Sequence, residues 1–202
     1  MNKSFKIIVI TPEKFFENEI YFLGNLFAAN LGLLHVRKPG FSKEELTDYL
    51  NQIPKRFYKR IILHAHFELV KTFKLKGAHL AEKTRKSVRQ INFLNKNKIK
   101  IISASFHNLN EIKRCSRKYE YVFLSPVFNS ISKNNYKSRL HLETLKPFLK
   151  KNKNNIVALG GICDKNIGSV KISGFSGAAT VGYVWESKNP VKNYKKLLSK
   201  IK

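Results

Sequence analysis

Short apolar runs alternate with amphipathic stretches along the whole chain. The runs are "FKIIVIT" (5–11), "GLLHVR" (32–37), "RIILHA" (60–65), "GAHLA" (77–81), "IKIISAS" (99–105), "YVFLSPVF" (121–128), "NIVALGGI" (155–162) and "GAATVGYV" (177–184). Most are continuously hydrophobic rather than alternating, the pattern of parallel strands covered on both faces. Helix signals fill the gaps. Ser42 with Glu45 and Asn108 with Glu111 have capping-box spacing directly after a strand run. Residues 19–30 carry Ile20, Phe22, Leu23, Leu26 and Phe27 on one face, with Gly32 as the expected stop. The tail after Pro190 places Tyr194, Leu197, Leu198 and Ile201 on one side of a last helix. Eight strand–helix units in 202 residues predict an α/β fold, a single (β/α)8 TIM barrel over residues 1–202. A doubly wound open sheet is the alternative that pattern alone leaves open.

Composition changes this picture little. No linker or low-complexity tract divides the chain, and no stretch approaches the roughly 20 apolar residues of a membrane span. The start lacks a secretory h-region and cleavage site, so the expected location is cytoplasmic. Cys115 and Cys163, far apart and outside any C-x-x-C pair, read as reduced packed thiols. The formal charge of +26 invites a nucleic-acid reading. The lysines, however, are spread through the chain, and aromatics do not alternate with basic residues as in base-stacking sheets. The expected partners are therefore small anionic molecules, with no specific nucleic acid and no membrane. A homo-oligomer stays open.

In a barrel, function lies at the C-terminal ends of the strands. Those ends carry His35 and Arg37, His64 and His66, His79, and Ser105 with His107, so five of the six histidines fall on four neighbouring strands. In "IILHAHFE" (61–68), His64 and His66 stand two positions apart and are expected to share a face. A metal site, a catalytic pair and simple packing all fit that spacing. After the seventh run come Gly160 and Gly161, and in the eighth Val181 and Gly182, where glycine loops would let backbone N–H groups approach a phosphate. Tight turns alone would also use such glycines.

Over essentially its whole length the chain resembles the thiamine phosphate synthase and TenI family of barrels. "LSPVFNSISK" (124–133) is similar to that family's Gly-Pro-Val-Phe-x-Thr-x-Thr-Lys loop, and "ALGGI" to its Ala-Ile-Gly-Gly-Ile; "GAHLAE", "SASFHNLNE" and "LLHVRKP" add support. The resemblance implies coupling of hydroxymethylpyrimidine diphosphate to a thiazole phosphate, with release of pyrophosphate through a pyrimidine cation. It implies that Ser130, Ser132, Gly161 and the backbone at Val181 and Gly182 hold the thiazole phosphate. Arg37, Ser105 and Lys133 would then face the pyrimidine or its diphosphate, Lys133 as a donor to the leaving group.

The departures from the family are local. Its Gln-x-Arg-x-Lys after the second strand is His35-Val36-Arg37-Lys38-Pro39 here, and its magnesium aspartates fall on His64-Ala65 and Thr84. The only aspartates are Asp48 and Asp164, away from those rims. No metal ligand is therefore assigned; magnesium stays open as a cofactor although the carboxylates that would hold it are missing. A zinc site from His64, His66 and a third histidine is the alternative. The expected catalytic set is Arg37, Lys133, His35, His64 and His107, with imidazole protonation near pH 6 to 7 standing in for the missing cation. A TenI-like isomerase or a non-catalytic thiazole phosphate binder remains beside the coupling reaction, and a non-specific nucleic-acid binder is the distant alternative. The TenI tautomerase histidine falls on Pro126.

Overall fold

The computed structural model describes residues 5–129, 142–152 and 155–202. Eight strands form a closed barrel in sequence order: β1 (Lys6–Ile10), β2 (Leu33–Val36), β3 (Ile61–Leu63), β4 (Gly77–Leu80), β5 (Ile102–Phe106), β6 (Tyr121–Leu124), β7 (Ile156–Leu159) and β8 (Gly177–Thr180). Every neighbouring pair is parallel, and β8 closes on β1. The open-sheet alternative is thereby excluded. Between and after the strands lie α1 (Glu19–Ala28), α2 (Lys43–Asn51), α3 (Leu69–Thr72), α4 (Glu82–Arg85), α5 (Val88–Lys96), α6 (Leu109–Arg114), α7 (Leu142–Lys151), α8 (Ile167–Ile172), α9 (Gly182–Trp185) and α10 (Pro190–Ser199). No helix among the described residues is long and apolar enough to cross a membrane.

The local signals work as chemistry. Ser42 Oγ accepts from the Glu45 amide, and the Glu45 carboxylate accepts from the Ser42 amide, a complete capping box at the start of α2. Asn108 caps α6 through the Glu111 amide. At the end of α1 the left-handed residue is Asn30 (φ 66°) rather than Gly32, which has open space around it. Asparagine tolerates that conformation, so the stop lies two residues earlier than the glycine suggests. The eighth run also ends early: after Thr180 the chain turns into α9, and the Trp185 indole N–H donates to the Ile10 carbonyl at 2.8 Å, pinning α9 across β1.

Alternation along the strands divides the core into two layers. One face packs outward against the helices, from Val9 and Leu34 to Phe106 and Leu124. The other fills the barrel: Ile8, Ile10, Leu33, Ile62, Tyr121, Phe123, Val157 and Ala179. His35, His79 and Ser103 belong to this inner face and are fully buried. Register sets His79 beside Ser103 and Ser103 beside Tyr121, while Ile10 and Ile62 flank His35.

Candidate active site at the barrel mouth

A cavity of 530 Å³ opens at the C-terminal ends of the strands, within the usual range for small-molecule sites. One side is lined by Arg37, His64, His79, Ser105 and His107, the other by Gly160, Gly161, Val181, Gly182 and Tyr183. Sequence thus brought these residues to one mouth. Ser130, Ser132 and Lys133, expected at the phosphate and the leaving group, lie outside the described residues.

The floor of the first side is a polar network inside the barrel. A His35 Nδ1–His64 Nε2 hydrogen bond spans 2.8 Å, and His35 Nε2 meets the Tyr121 hydroxyl at 2.5 Å. His79 has Ser103 Oγ on Nδ1 and Ser105 Oγ on Nε2, both at 2.8 Å. The His64 and His79 rings stack with centroids 4.3 Å apart, and Phe123 lies under His35 and His79 at 5.0 and 4.8 Å. Among the described residues no buried side-chain nitrogen or oxygen lacks a partner. Burial in this apolar shell drives the His35 and His64 pKa values well below the ordinary imidazole value, with the neighbouring rings adding to it, and lowers His79 to about 3. The expected protonation near pH 6 to 7 is therefore corrected: these three rings are neutral at physiological pH because the barrel interior does not solvate their cations. His35 also lies beneath the mouth rather than on it.

His66 does not join them. β3 ends at Leu63, His66 adopts φ 48°, and its Nε2 pairs with the Phe41 carbonyl at 3.0 Å. The expectation that His64 and His66 share a face fails because the His64 amide still bonds to the Val36 carbonyl beside β2, whereas the chain has left the ladder by His66. A metal-ligating arrangement built on His66 fails with it.

The cations of the second-strand loop have separate fates. Arg37 reaches the cavity, with Nη1 2.6 Å from Glu13 Oε1 at a half-exposed pair. Lys38 points away from the mouth into a closed box, where Nζ lies 2.7 Å from Glu19 Oε2 and both side chains are fully buried. The Tyr49 hydroxyl donates to the other Glu19 oxygen at 2.7 Å. Lys38 is thus a structural counter-ion and unavailable to a substrate. His107 sits at the rim with Nδ1 2.9 Å from the Ser125 carbonyl and Nε2 3.8 Å from Glu82.

On the second side the backbone makes the surface. Gly160 (φ 101°) and Gly161 (φ 63°) occupy left-handed conformations. A Cβ on Gly161 would stand 2.2 Å from the Asn129 carbonyl oxygen, and one on Gly160 2.9 Å from Pro126. Turn geometry and the close approach of 126–129 therefore require both glycines before any ligand is considered. Gly182 differs: an added Cβ would meet only the flexible Glu186 carboxylate, at 3.0 Å. Beside it Tyr183, hydrogen-bonded to Asp164, has its pKa pushed up to about 12, chiefly by burial.

Magnesium does not fit these donors. The expected aspartate positions hold His64, Ala65 and Thr84, and Thr84 Oγ1 donates to the Ala81 carbonyl. Of the cavity carboxylates, Glu13 is held by Arg37, Glu82 by Lys86 at 2.5 Å, and Glu186 stands beside Gly182; among the described residues they do not gather into the cluster of hard oxygen ligands that magnesium needs.

Tyr121 and Ser103 escaped the sequence reading because they sit inside apolar strand runs. Strand parity would have found them: Tyr121 and Phe123, like Ser103 and Ser105, occupy alternate positions on the inner face. Arg85 was also missed; its Nε donates to the Ser105 carbonyl at 3.1 Å and its guanidinium lies 3.9 Å over Phe106.

Among solved structures, a thiamine phosphate pyrophosphorylase from Bacteroides thetaiotaomicron superimposes with a TM-score of 0.81 at 30% identity, covering 96% of both chains. The thiamine-phosphate synthase of Prochlorococcus marinus subsp. pastoris is 29% identical over 161 residues, which is 77% of this chain and 44% of that protein. That of Latilactobacillus sakei is 33% identical over 91 residues, 44% of this chain and 41% of that protein. The chain spans less than half the length of these two curated relatives. A family model for thiamine monophosphate synthase matches residues 7–184, from β1 into α9. The chain belongs to the thiamine monophosphate synthase (TMP-TENI) family.

Proposed function

We propose that the protein acts in thiamine biosynthesis, joining hydroxymethylpyrimidine diphosphate to a thiazole phosphate. The observation that carries this reading is the two-sided cavity: side-chain donors line one half, backbone and glycine the other. That division suits two phosphorylated substrates meeting at the centre. The thiazole phosphate takes the Gly182 side, where the first amides of α9 have no intrahelical partner. The pyrimidine diphosphate takes the Arg37 side. The C–O bond to the diphosphate breaks with its electron pair leaving on oxygen, and Arg37 exchanges Glu13 for the departing pyrophosphate. The thiazole nitrogen then donates its lone pair to the pyrimidine carbon. Neutral His64 and His79 add no charge that would oppose the developing cation. No step is assigned to magnesium, whose ligands are missing.

Incubation of the pure protein with both substrates is expected to release thiamine phosphate and pyrophosphate in equal amounts. Absence of both products at saturating substrates, with the protein folded, would defeat the reading. One observation favours a second reading. His107 lies 3.8 Å from Glu82 at the rim, an arrangement suited to proton transfer on a bound thiazole phosphate. Isomerisation of thiazole phosphate without the pyrimidine substrate, lost in His107→Ala, would identify it.

A further inference from the structure

We infer that His35, His64 and His79 form a binding site for a borderline-soft divalent transition metal ion, zinc above all, in the barrel interior beneath the cavity. One ring nitrogen from each of the three residues lies within 4.8 Å of the others. The inference does not rest on the reaction proposed above.

Three features of the cluster point to an ion rather than to packing alone. The first is the donor set: three imidazoles and no carboxylate in the cluster is the composition that zinc accepts and magnesium refuses. The second is the outer ring of partners. Tyr121 Oη holds His35 Nε2, which leaves His35 Nδ1 turned toward His64. His79 has a serine hydroxyl on each nitrogen, so either can be released while the other fixes the tautomer. Metal-binding histidines are oriented by such second hydrogen bonds. The third is access: His64 and His79 face the cavity while His35 closes the site from below. That leaves a fourth position open toward Arg37 for water or a ligand anion.

The distances require all three rings to adjust. His35 Nδ1 and His64 Nε2 share one proton across 2.8 Å. Two nitrogens on a tetrahedral zinc, at about 2.0–2.1 Å each, stand about 3.3 Å apart. Replacing the shared proton with an ion therefore parts those two rings by about half an ångström. His79 must move more: it has to turn out of its stack on His64, with ring centroids 4.3 Å apart, and release one serine hydroxyl to aim a lone pair at the same ion.

The test uses the full chain without a histidine tag, stripped with chelator and titrated with zinc in competition with a chromophoric chelator, and separately with cobalt(II). The expected result is one equivalent of zinc per chain and, for cobalt, the intense visible absorption of a four-coordinate ion. His64→Gln should weaken zinc by more than the roughly 10–100-fold that loss of an outer partner costs, and Tyr121→Phe by about that range. His66→Asn should leave the affinity unchanged. Circular dichroism in chelator checks that each variant folds; the cobalt spectrum of the unaltered chain is read independently of them. No stoichiometric zinc binding, an octahedral cobalt spectrum, or affinity indifferent to both His64→Gln and Tyr121→Phe would overturn the site and leave the cluster as a hydrogen-bonded floor.

Discussion

The two halves of the barrel mouth do comparable jobs by opposite means. From β2 to β5 the surface is made by side chains: His64, His79, Ser105 and Arg37, each held by a named partner. From β7 to α9 it is made by the backbone, and the side chains are missing because they would collide, as at Gly161 against the Asn129 carbonyl. Divergence is therefore tolerated on the first half, where one ring can replace another if its hydrogen bonds are met. At Gly160 and Gly161 on the second half it is resisted, because a single Cβ meets main chain.

The largest expected effect sharpens this contrast through acid. In the unfolded chain each histidine titrates near 6.5. In the folded, chelator-treated protein His35, His64 and His79 all titrate lower, His79 at about 3. The unfolded state thus binds more protons in that interval, so stability rises with pH there. It is full above about pH 6.5 and is lost as pH falls, at about 1.4 kcal/mol per pH unit for each ring that stays neutral. Denaturant melts between pH 7 and 4 measure it. A flat profile would mean that the imidazoles are solvated and the network open.

Next come the adjacent cations of one loop. Lys38→Met leaves Glu19 charged and alone in its box, an expected loss of about 3–5 kcal/mol of stability. Lys38→Met combined with Glu19→Leu should recover much of it. Arg37→Ala, at a half-exposed pair, should barely move stability yet lower turnover by about 10²–10³, as loss of one donor to a developing anion does. Urea melts and steady-state rates on the same samples separate the two roles. Equal effects of both substitutions on stability would erase the distinction.

On the backbone half, Gly161 is a poor probe because any side chain there disturbs 126–129. Gly182→Val is the cleaner one, since only the Glu186 carboxylate must give way. It should weaken thiazole phosphate by about 1.5–3 kcal/mol, the value of a hydrogen bond to a charged group, with the pyrimidine diphosphate affinity unchanged. Calorimetry with each ligand alone decides. Equal weakening of both ligands would show that the cavity is not divided as proposed.

Much of this was legible in the chain, and the illegible part has a physical cause. All eight strands were readable because continuous apolar runs mark strands buried on both faces, and the Ser42–Glu45 box marks α2 by itself. The inner polar network was harder. Tyr121 and Ser103 look like strand filler until register sets them beside His79, and register depends on all eight strands closing. The burial of Lys38 left no local signal, because its partner Glu19 lies 19 residues earlier, on the far side of an intervening strand.

The smallest expected effect belongs to the residue that looked most telling in "IILHAHFE". His66 turns out of the ladder with φ 48°, hydrogen-bonds the Phe41 carbonyl and has its other ring nitrogen 3.9 Å from the Glu68 carboxylate. Asparagine accepts that conformation, so His66→Asn removes the ring without straining the backbone. The loss should be about 0.5–1.5 kcal/mol of stability, one hydrogen bond, with turnover unchanged. His64→Gln, two positions away, should disturb the floor of the cavity through His35 and His79 together. Rates and melts for the two variants side by side measure the difference. A loss of turnover in His66→Asn as large as in His64→Gln would mean that the two imidazoles act together after all, and that the turn of the chain at His66 does not separate them.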